Sequence, residues 1–386
     1  MRWDNLRLDD QRDGDGETLF PAGRRDVALP LIERGAVART FDTPGFRGMT
    51  FYEVQAKSVV NRVPESSRMS FRWTINPYRG CQHSCVYCFA RNTHTYLDLD
   101  AGADFDSKVV VKVNAPELVR KKLASPSWAG EHIAMGTNVD CYQRAEGRYQ
   151  LMPRIIGALK DAANPFSILT KGTLILRDID LLAEAAEVTD VGLNFSAGFV
   201  DKELWRSVEP GTPDPARRLE ACATLNDRGL ACGVLMGPVI PFLSDSPAQL
   251  DTAVRQIAAA GATHVTPIVL HLRPGTREWF FRWLGAHYPG LVGRYLDLYG
   301  RSAYAPKSYQ ARITGQVREL ADKHGVGRPR PMSNRGRGPG QPGPPGIPRP
   351  GTVPPPPAGR SAMAGPSAQA GPAGPSPAPA EQLTLL

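Results

Sequence analysis

Three cysteines fall within eight residues in the stretch Asn76-Pro-Tyr-Arg-Gly-Cys81-Gln-His-Ser-Cys85-Val-Tyr-Cys88-Phe-Ala-Arg91. Thiolates are the usual ligands of iron–sulfur clusters, and three on one tight loop can hold three irons of a [4Fe–4S] cube while the fourth iron keeps no protein ligand. That open iron is the functional feature of such a loop. Two other readings of the same residues exist. One is a structural zinc with His83 or His94 as fourth ligand, although such sites usually draw paired ligands from separate chain segments; the other is three unligated thiols. A disulfide framework belongs to short secreted chains and does not suit this length or spacing. Cys222 and Cys232 fall inside a candidate helix and a candidate strand and read as small buried hydrophobes.

Other polar residues gather where candidate strands end. The second strand runs out into Gly136-Thr-Asn-Val-Asp-Cys-Tyr-Gln-Arg-Ala-Glu146, too densely polar for a routine loop. Glu146 could also simply cap the next helix, where a carboxylate is favoured by the helix dipole. Lys171 ends the third strand in Thr170-Lys-Gly, and Ser196 ends the fourth in Asn194-Phe-Ser. Taken alone, these are also compatible with a solvated lysine and a backbone-bonded serine. Glu209-Pro210 shapes a pocket or ends a turn, and His264 and His271 bracket the sixth strand, where they read as core histidines or, for His271 near the C-terminal end, as a residue facing the pocket.

The elements that must position these residues alternate regularly. Short apolar runs at 71–76, 132–137, 166–170, 191–196, 231–239 and 265–271 predict strands, and amphipathic patterns at 151–163, 176–188, 215–228, 247–260 and 277–285 predict helices. Repeated βα units imply a parallel sheet, and six of them fit a partial (β/α)6 barrel, an α/β fold whose chemistry lies at the C-terminal strand ends. An added strand is expected at 109–113. Residues 1–70 lack this rhythm and read as an N-terminal extension packing on the barrel at 71–324, with an apolar piece at 27–32 and a segment at 50–61 lying along it.

With 41% hydrophobic and 22% charged residues the composition is that of a globular chain. No apolar run is long enough to span a membrane, and the charged start lacks a secretory signal, so a cytoplasmic location without membrane contact is expected. The formal net charge is +8, yet six arginines and one acid lie beyond Val326, which leaves +3 on the rest. The segment 325–386 carries 17 of the 36 prolines and reads as a disordered Pro/Gly/Arg-rich tail. Such a tail either touches nucleic acid weakly through phosphates or merely keeps the chain soluble.

The cysteine loop, with Tyr87 before the third cysteine, resembles the radical S-adenosylmethionine (SAM) superfamily. Lys57-Ser-Val-Val-Asn, Asn76-Pro-Tyr-Arg-Gly-Cys, Thr170-Lys-Gly-Thr-Leu-Ile-Leu-Arg-Asp-Ile-Asp-Leu-Leu and Val208-Glu-Pro-Gly-Thr-Pro are similar to its spore photoproduct lyase-like (DNA repair photolyase-like) branch. The likeness spans about residues 50–320, and the extension and tail look like those of an actinobacterial subgroup. The resemblance implies that Cys81, Cys85 and Cys88 ligate the cluster and that its open iron chelates the amino and carboxylate groups of S-adenosylmethionine. One electron, from a ferredoxin or flavodoxin, would split the sulfonium to methionine and a 5′-deoxyadenosyl radical that takes a hydrogen atom from the substrate. Tyr87 would lie against the adenine, Lys171 would contact the cofactor carboxylate, and Ser196 its ribose or carboxylate. Asp140, Tyr142, Gln143 and Glu146 match a family pattern, Thr-Asp-x-Tyr-Gln-Pro-x-Glu, with Arg144 in place of its proline, and Asp140 enters as a cofactor-binding candidate. The related lyase returns a hydrogen atom from a cysteine thiol near this strand, and Cys141, displaced by several residues, is the candidate here.

The expected function is therefore a radical SAM enzyme acting in DNA repair or nucleic-acid modification. Peptide or RNA modification is the rival within the superfamily, and a non-catalytic iron–sulfur protein the rival outside it. The last five residues, Gln382-Leu-Thr-Leu-Leu386, resemble peptides that dock on the bacterial sliding clamp, with Leu386 replacing the usual aromatic.

Overall fold

The computed structural model describes residues 6–7, 31, 35–65, 67 and 69–328. Their strands are β1 (Leu6–Arg7), β2 (Val37–Arg39), β3 (Thr50–Ala56), β4 (Val60–Arg62), β5 (Trp73–Ile75), β6 (Tyr78–Arg79), β7 (Lys108–Lys112), β8 (Ile133–Met135), β9 (Phe166–Thr170), β10 (Val191–Ser196), β11 (Cys232–Val239) and β12 (Val265–Val269). They form two sheets. The larger has the order β12-β11-β10-β9-β8-β5-β4, and its strands β5, β8, β9, β10, β11 and β12 are all parallel. Each new strand is added to the same edge after a helical crossover, as connected βα units require. This is a mixed α/β fold with the six parallel strands of the expected partial barrel.

Central parallel strands are covered on both faces and so lose the alternation of half-buried strands. All eight residues of Cys232–Val239 are buried. The crossover helices start on clear signals. Asp214 accepts the Ala216 N–H with Pro215 in the first turn, and Ser246 and Gln249 cap each other's backbone around Pro247.

The smaller sheet draws strands from both sides of residue 70. The segment 109–113 does form a strand, Lys108–Lys112, but it runs parallel to Thr50–Ala56 and pairs with Tyr78–Arg79, outside the barrel sheet. Conversely, Val60–Arg62 pairs antiparallel with Trp73–Ile75 and joins the barrel. The two parts are interleaved because the chain returns to the N-terminal sheet just after the cysteine loop. A further helix, Lys307–His324, buries Ile313, Val317 and Ala321 against helix Pro247–Ala259. The apolar piece at 27–32, apart from Leu31, and the tail beyond residue 328 lie outside the described residues.

Candidate functional site

The cysteine loop leaves β6 through Gly80, whose φ is +85° and whose missing Cβ would stand 2.7 Å from the Lys108 carbonyl oxygen. Only glycine suits that backbone and that approach. Arg91, fully buried, grips the loop from below: it donates to the Cys85 carbonyl at 3.0 and 3.1 Å, to Gly102 O at 2.9 Å and to Asp106 at 2.8 Å. Gln143 reaches the loop from the β8 side, accepting from the Gln82 N–H at 3.0 Å and donating to Gly80 O at 3.0 Å. Opposite, Gly211 lies so close that a Cβ there would sit 1.9 Å from Gln82 O.

Held this way, Cys81, Cys85 and Cys88 are free thiols. Burial pushes the Cys81 thiol well up, and burial pushes Cys85 to about 12 against the opposing charge of Lys171. Cys88 is raised by the same cause, opposed by Arg91. Soft sulfur donors that stay protonated by themselves and lie near buried cations suit a cluster whose irons displace the protons. Among the described residues no three such side chains converge on one point; a cube of iron and sulfur keeps its ligands apart, each on its own metal. The two histidines considered for zinc have other partners. His83 Nδ1 is 3.3 Å from Asp140, and His94 Nε2 bonds the Lys108 carbonyl at 2.8 Å.

Asp140 is a buried joint. Its Oδ1 accepts from the Tyr142 N–H at 2.9 Å and from Thr170 Oγ1 at 2.6 Å, and its Oδ2 accepts the Lys171 N–H at 2.6 Å. Burial alone would raise its pKa, but His83 and these donors hold the carboxyl well below the usual range. With both oxygens engaged, Asp140 is placed to align the cysteine loop, the β8 turn and the end of β9.

On the other flank, Glu209 is enclosed by Tyr87 Oη and Arg218 Nη2, both of which donate to it. Arg218 also donates to Ser196 O at 3.0 Å and Pro213 O at 2.8 Å. Burial would raise the Glu209 carboxyl, yet Arg218 and then Lys171 hold it low. Register brings the cofactor candidates together: Thr170 pairs with Phe195 across β9 and β10, so Lys171 and Ser196 are neighbours. Lys171 Nζ donates to Ser196 Oγ at 2.9 Å, Ser196 Oγ donates to Gly237 O at 2.8 Å, and Lys171 Nζ lies 5.8 Å from the centre of the Tyr87 ring. An ammonium, a hydroxyl and an aromatic ring thus meet beside Cys85 and Cys88 at the C-terminal strand ends.

Cys141, the hydrogen-donor candidate, directly follows Asp140; its side chain is fully buried, with burial and then Asp140 raising its thiol well above the ordinary value. Its neighbours on both sides are fastened, Asp140 by the bonds above and Tyr142 by donating to Asp178 at 2.9 Å. Glu146 caps the following helix, accepting from the Leu151 and Met152 N–H groups at 3.1 and 3.0 Å, and it also takes Arg177 at 2.8 Å and Tyr78 at 2.5 Å. His264 is half-buried, and its Nε2 bonds Asn194 Oδ1 at 2.8 Å. Arg91 and Arg218 escaped sequence reasoning. Arg91 closes the quoted cysteine stretch, and that proximity was the only local signal for either.

The Radical SAM superfamily profile matches residues 75–251. An uncharacterised protein of Mycobacterium tuberculosis strain H37Rv is 50% identical over 299 residues, which cover 78% of this chain and 88% of that one. An uncharacterised protein of Methanocaldococcus jannaschii is 31% identical over 195 residues, covering 50% and 69%. Among solved structures, spore photoproduct lyase complexed with dinucleoside spore photoproduct superposes with a TM-score of 0.52 at 15% identity, covering 71% of this chain and 79% of that one. That likeness is one of fold. Cysteine loop, barrel and relatives together place the chain in the radical SAM superfamily, as an enzyme of that family, whose members use S-adenosylmethionine and a [4Fe–4S] cluster.

Proposed function

We propose that the chain holds a [4Fe–4S] cluster on Cys81, Cys85 and Cys88 and S-adenosylmethionine beside Lys171, Ser196 and Tyr87, and that it acts on nucleic acid, in repair or modification. Bound there, cluster and cofactor supply reductive sulfonium cleavage and a 5′-deoxyadenosyl radical able to take a hydrogen atom. The chain's own residues bind and orient. The observation that carries the reading is the meeting of Lys171, Ser196 and Tyr87 next to Cys85. A fixed ammonium suits a carboxylate, a strand-end hydroxyl suits a carboxylate or ribose, and the ring offers a face for adenine. Glu209 and Arg218 keep Tyr87 and the Ser196 backbone in place.

Nucleic acid as substrate is supported by the fold shared with a lyase complexed with a dinucleoside photoproduct and by the arginine-bearing segment beyond Val326, which carries most of the +8 net charge. The electron would come from a ferredoxin or flavodoxin. A cytoplasmic site of action, and a tether to a sliding clamp through Gln382 and Leu386, belong to the same reading; no described helix is long and apolar enough to cross a membrane. Anaerobic reconstitution tests it. The chain should hold roughly four irons and release 5′-deoxyadenosine under strong reductant, with modified product when a suitable oligonucleotide is present. Continued release from a chain with all three cysteines changed to Ala would overturn the assignment of the loop.

A further inference from the structure

Six large apolar side chains stand substantially exposed among the described residues, and two of them, Phe89 at 44% and Tyr304 at 43%, flank one guanidinium. Arg273 has its Cζ 5.5 Å from the centre of the Phe89 ring, and its Nη2 donates to Tyr304 Oη at 3.3 Å. The frame around them is fixed. Tyr304 forms an antiparallel bridge with His271, their rings meet edge to face at 4.7 Å, and the Leu272 N–H donates to Ala303 O at 2.8 Å. Phe89 directly follows Cys88, whose carbonyl accepts from Thr276 Oγ1 at 2.9 Å. The nearby carboxylate Glu278 is turned back onto the Gly275 N–H at 2.6 Å, away from the role of counter-ion to Arg273. The patch therefore forms a lip at the C-terminal end of β12, one residue from a cluster ligand.

Exposed rings cost free energy in water, and two of them locked around a cation at the mouth of a site call for a ligand that is both flat and anionic. A nucleotide presents both features at short spacing, and every base has a face that can stack. A peptide would need an aromatic and an acidic side chain placed together. Duplex DNA hides its base faces, so the fitting ligand is a single strand or a base turned out of the stack. The geometry points to a stacking site for one unpaired nucleobase on Phe89 and Tyr304, with Arg273 on the adjoining phosphate. This deepens the nucleic-acid reading above and rests on it.

The test is fluorescence anisotropy of a labelled single-stranded DNA with the reconstituted full chain. Phe89→Ala and Tyr304→Ala should each weaken binding roughly tenfold, the usual cost of a lost stacking ring. Tyr304→Phe should bind as the parent does. Arg273→Gln should weaken binding and reduce the slope of affinity against salt by about one phosphate contact. Val188→Ala, an exposed apolar change just before β10 begins and so at the opposite end of the barrel, should change nothing. Circular dichroism reports folding, and if Phe89→Ala misfolds, Phe89→Leu removes the flat face while keeping the apolar bulk. If the parent binds single strands and all lip variants bind equally well, the stacking site is wrong while the nucleic-acid reading stands. Equal affinity for duplex and single strand, insensitive to Phe89, overturns it in the same way. If the parent binds no oligonucleotide, or binds only an aromatic acidic peptide, both readings fall together.

Discussion

Asp140 and Glu209 hold opposite flanks of the same cysteine loop by different means. Asp140 is met by a hydroxyl, two backbone N–H groups and His83, which come from three separate parts of the chain. Glu209 is met by a buried guanidinium and a phenol and lies close enough to Lys171 to feel its charge. The first is a joint, and its directions matter more than its charge. The second is a counterweight to two cations, Arg218 and Lys171, beside Tyr87 and Ser196. Damage to Glu209's partner should therefore appear mainly as lost stability, and damage to Asp140 as a misplaced loop.

The largest effect is expected from Arg218→Met, which strands a fully buried carboxylate. Removing one member of a buried pair costs about 3–5 kcal/mol, readable in urea denaturation, and adding Glu209→Gln to the same chain should recover much of it. A cost within about 0.5 kcal/mol, typical of a surface change, would show that the pair is no anchor.

Asp140→Asn comes next, at about 2 kcal/mol for weakened bonds to a charged acceptor, but with a loss of iron per chain out of proportion to that figure. It also carries a pH signature. A carboxyl whose folded pKa is depressed contributes stability above its unfolded value, near 4, and loses that contribution as pH falls toward the folded value. Both Asp140 and Glu209 are depressed, so stability should drop on acidification below about pH 4, and Asp140→Asn should flatten that drop. An unchanged acid limb would remove Asp140 from the account.

Lys171→Met should weaken S-adenosylmethionine binding about tenfold, or ~1.4 kcal/mol, measured by equilibrium dialysis under anaerobic conditions. Cys141→Ala should cost only ~1 kcal/mol of packing and leave the product distribution unaltered. A changed distribution would identify Cys141 as a hydrogen-atom donor despite its burial.

The parts of the molecule visible in the sequence are those whose signal is local. The cysteine spacing occupies eight residues, and β9 and β10 read with their observed bounds because apolar runs of that length have no helical period. Lys108–Lys112 was visible as a strand, whereas its sheet was not, because partners some sixty residues away decide that. Tyr87 and Glu209 are 122 residues apart, and nothing around either marks the other. Helix Lys307–His324 could have been found from the spacing of Ile313, Val317 and Ala321 along one face. Asp140 stands out for its polar neighbourhood, whereas its partners Thr170, Lys171 and His83 lie far from it in the sequence and nothing around it marks them.

The most direct measurement is the electron paramagnetic resonance spectrum of the reduced, reconstituted protein before and after S-adenosylmethionine is added. A cluster held by Cys81, Cys85 and Cys88 has an iron open to the cofactor, so the signal should change on addition, and Lys171→Met should need more cofactor to change it. A fully loaded cluster whose signal is the same with and without S-adenosylmethionine would mean that the fourth iron already has a ligand, and the account of this site as a cofactor-cleaving centre would be wrong.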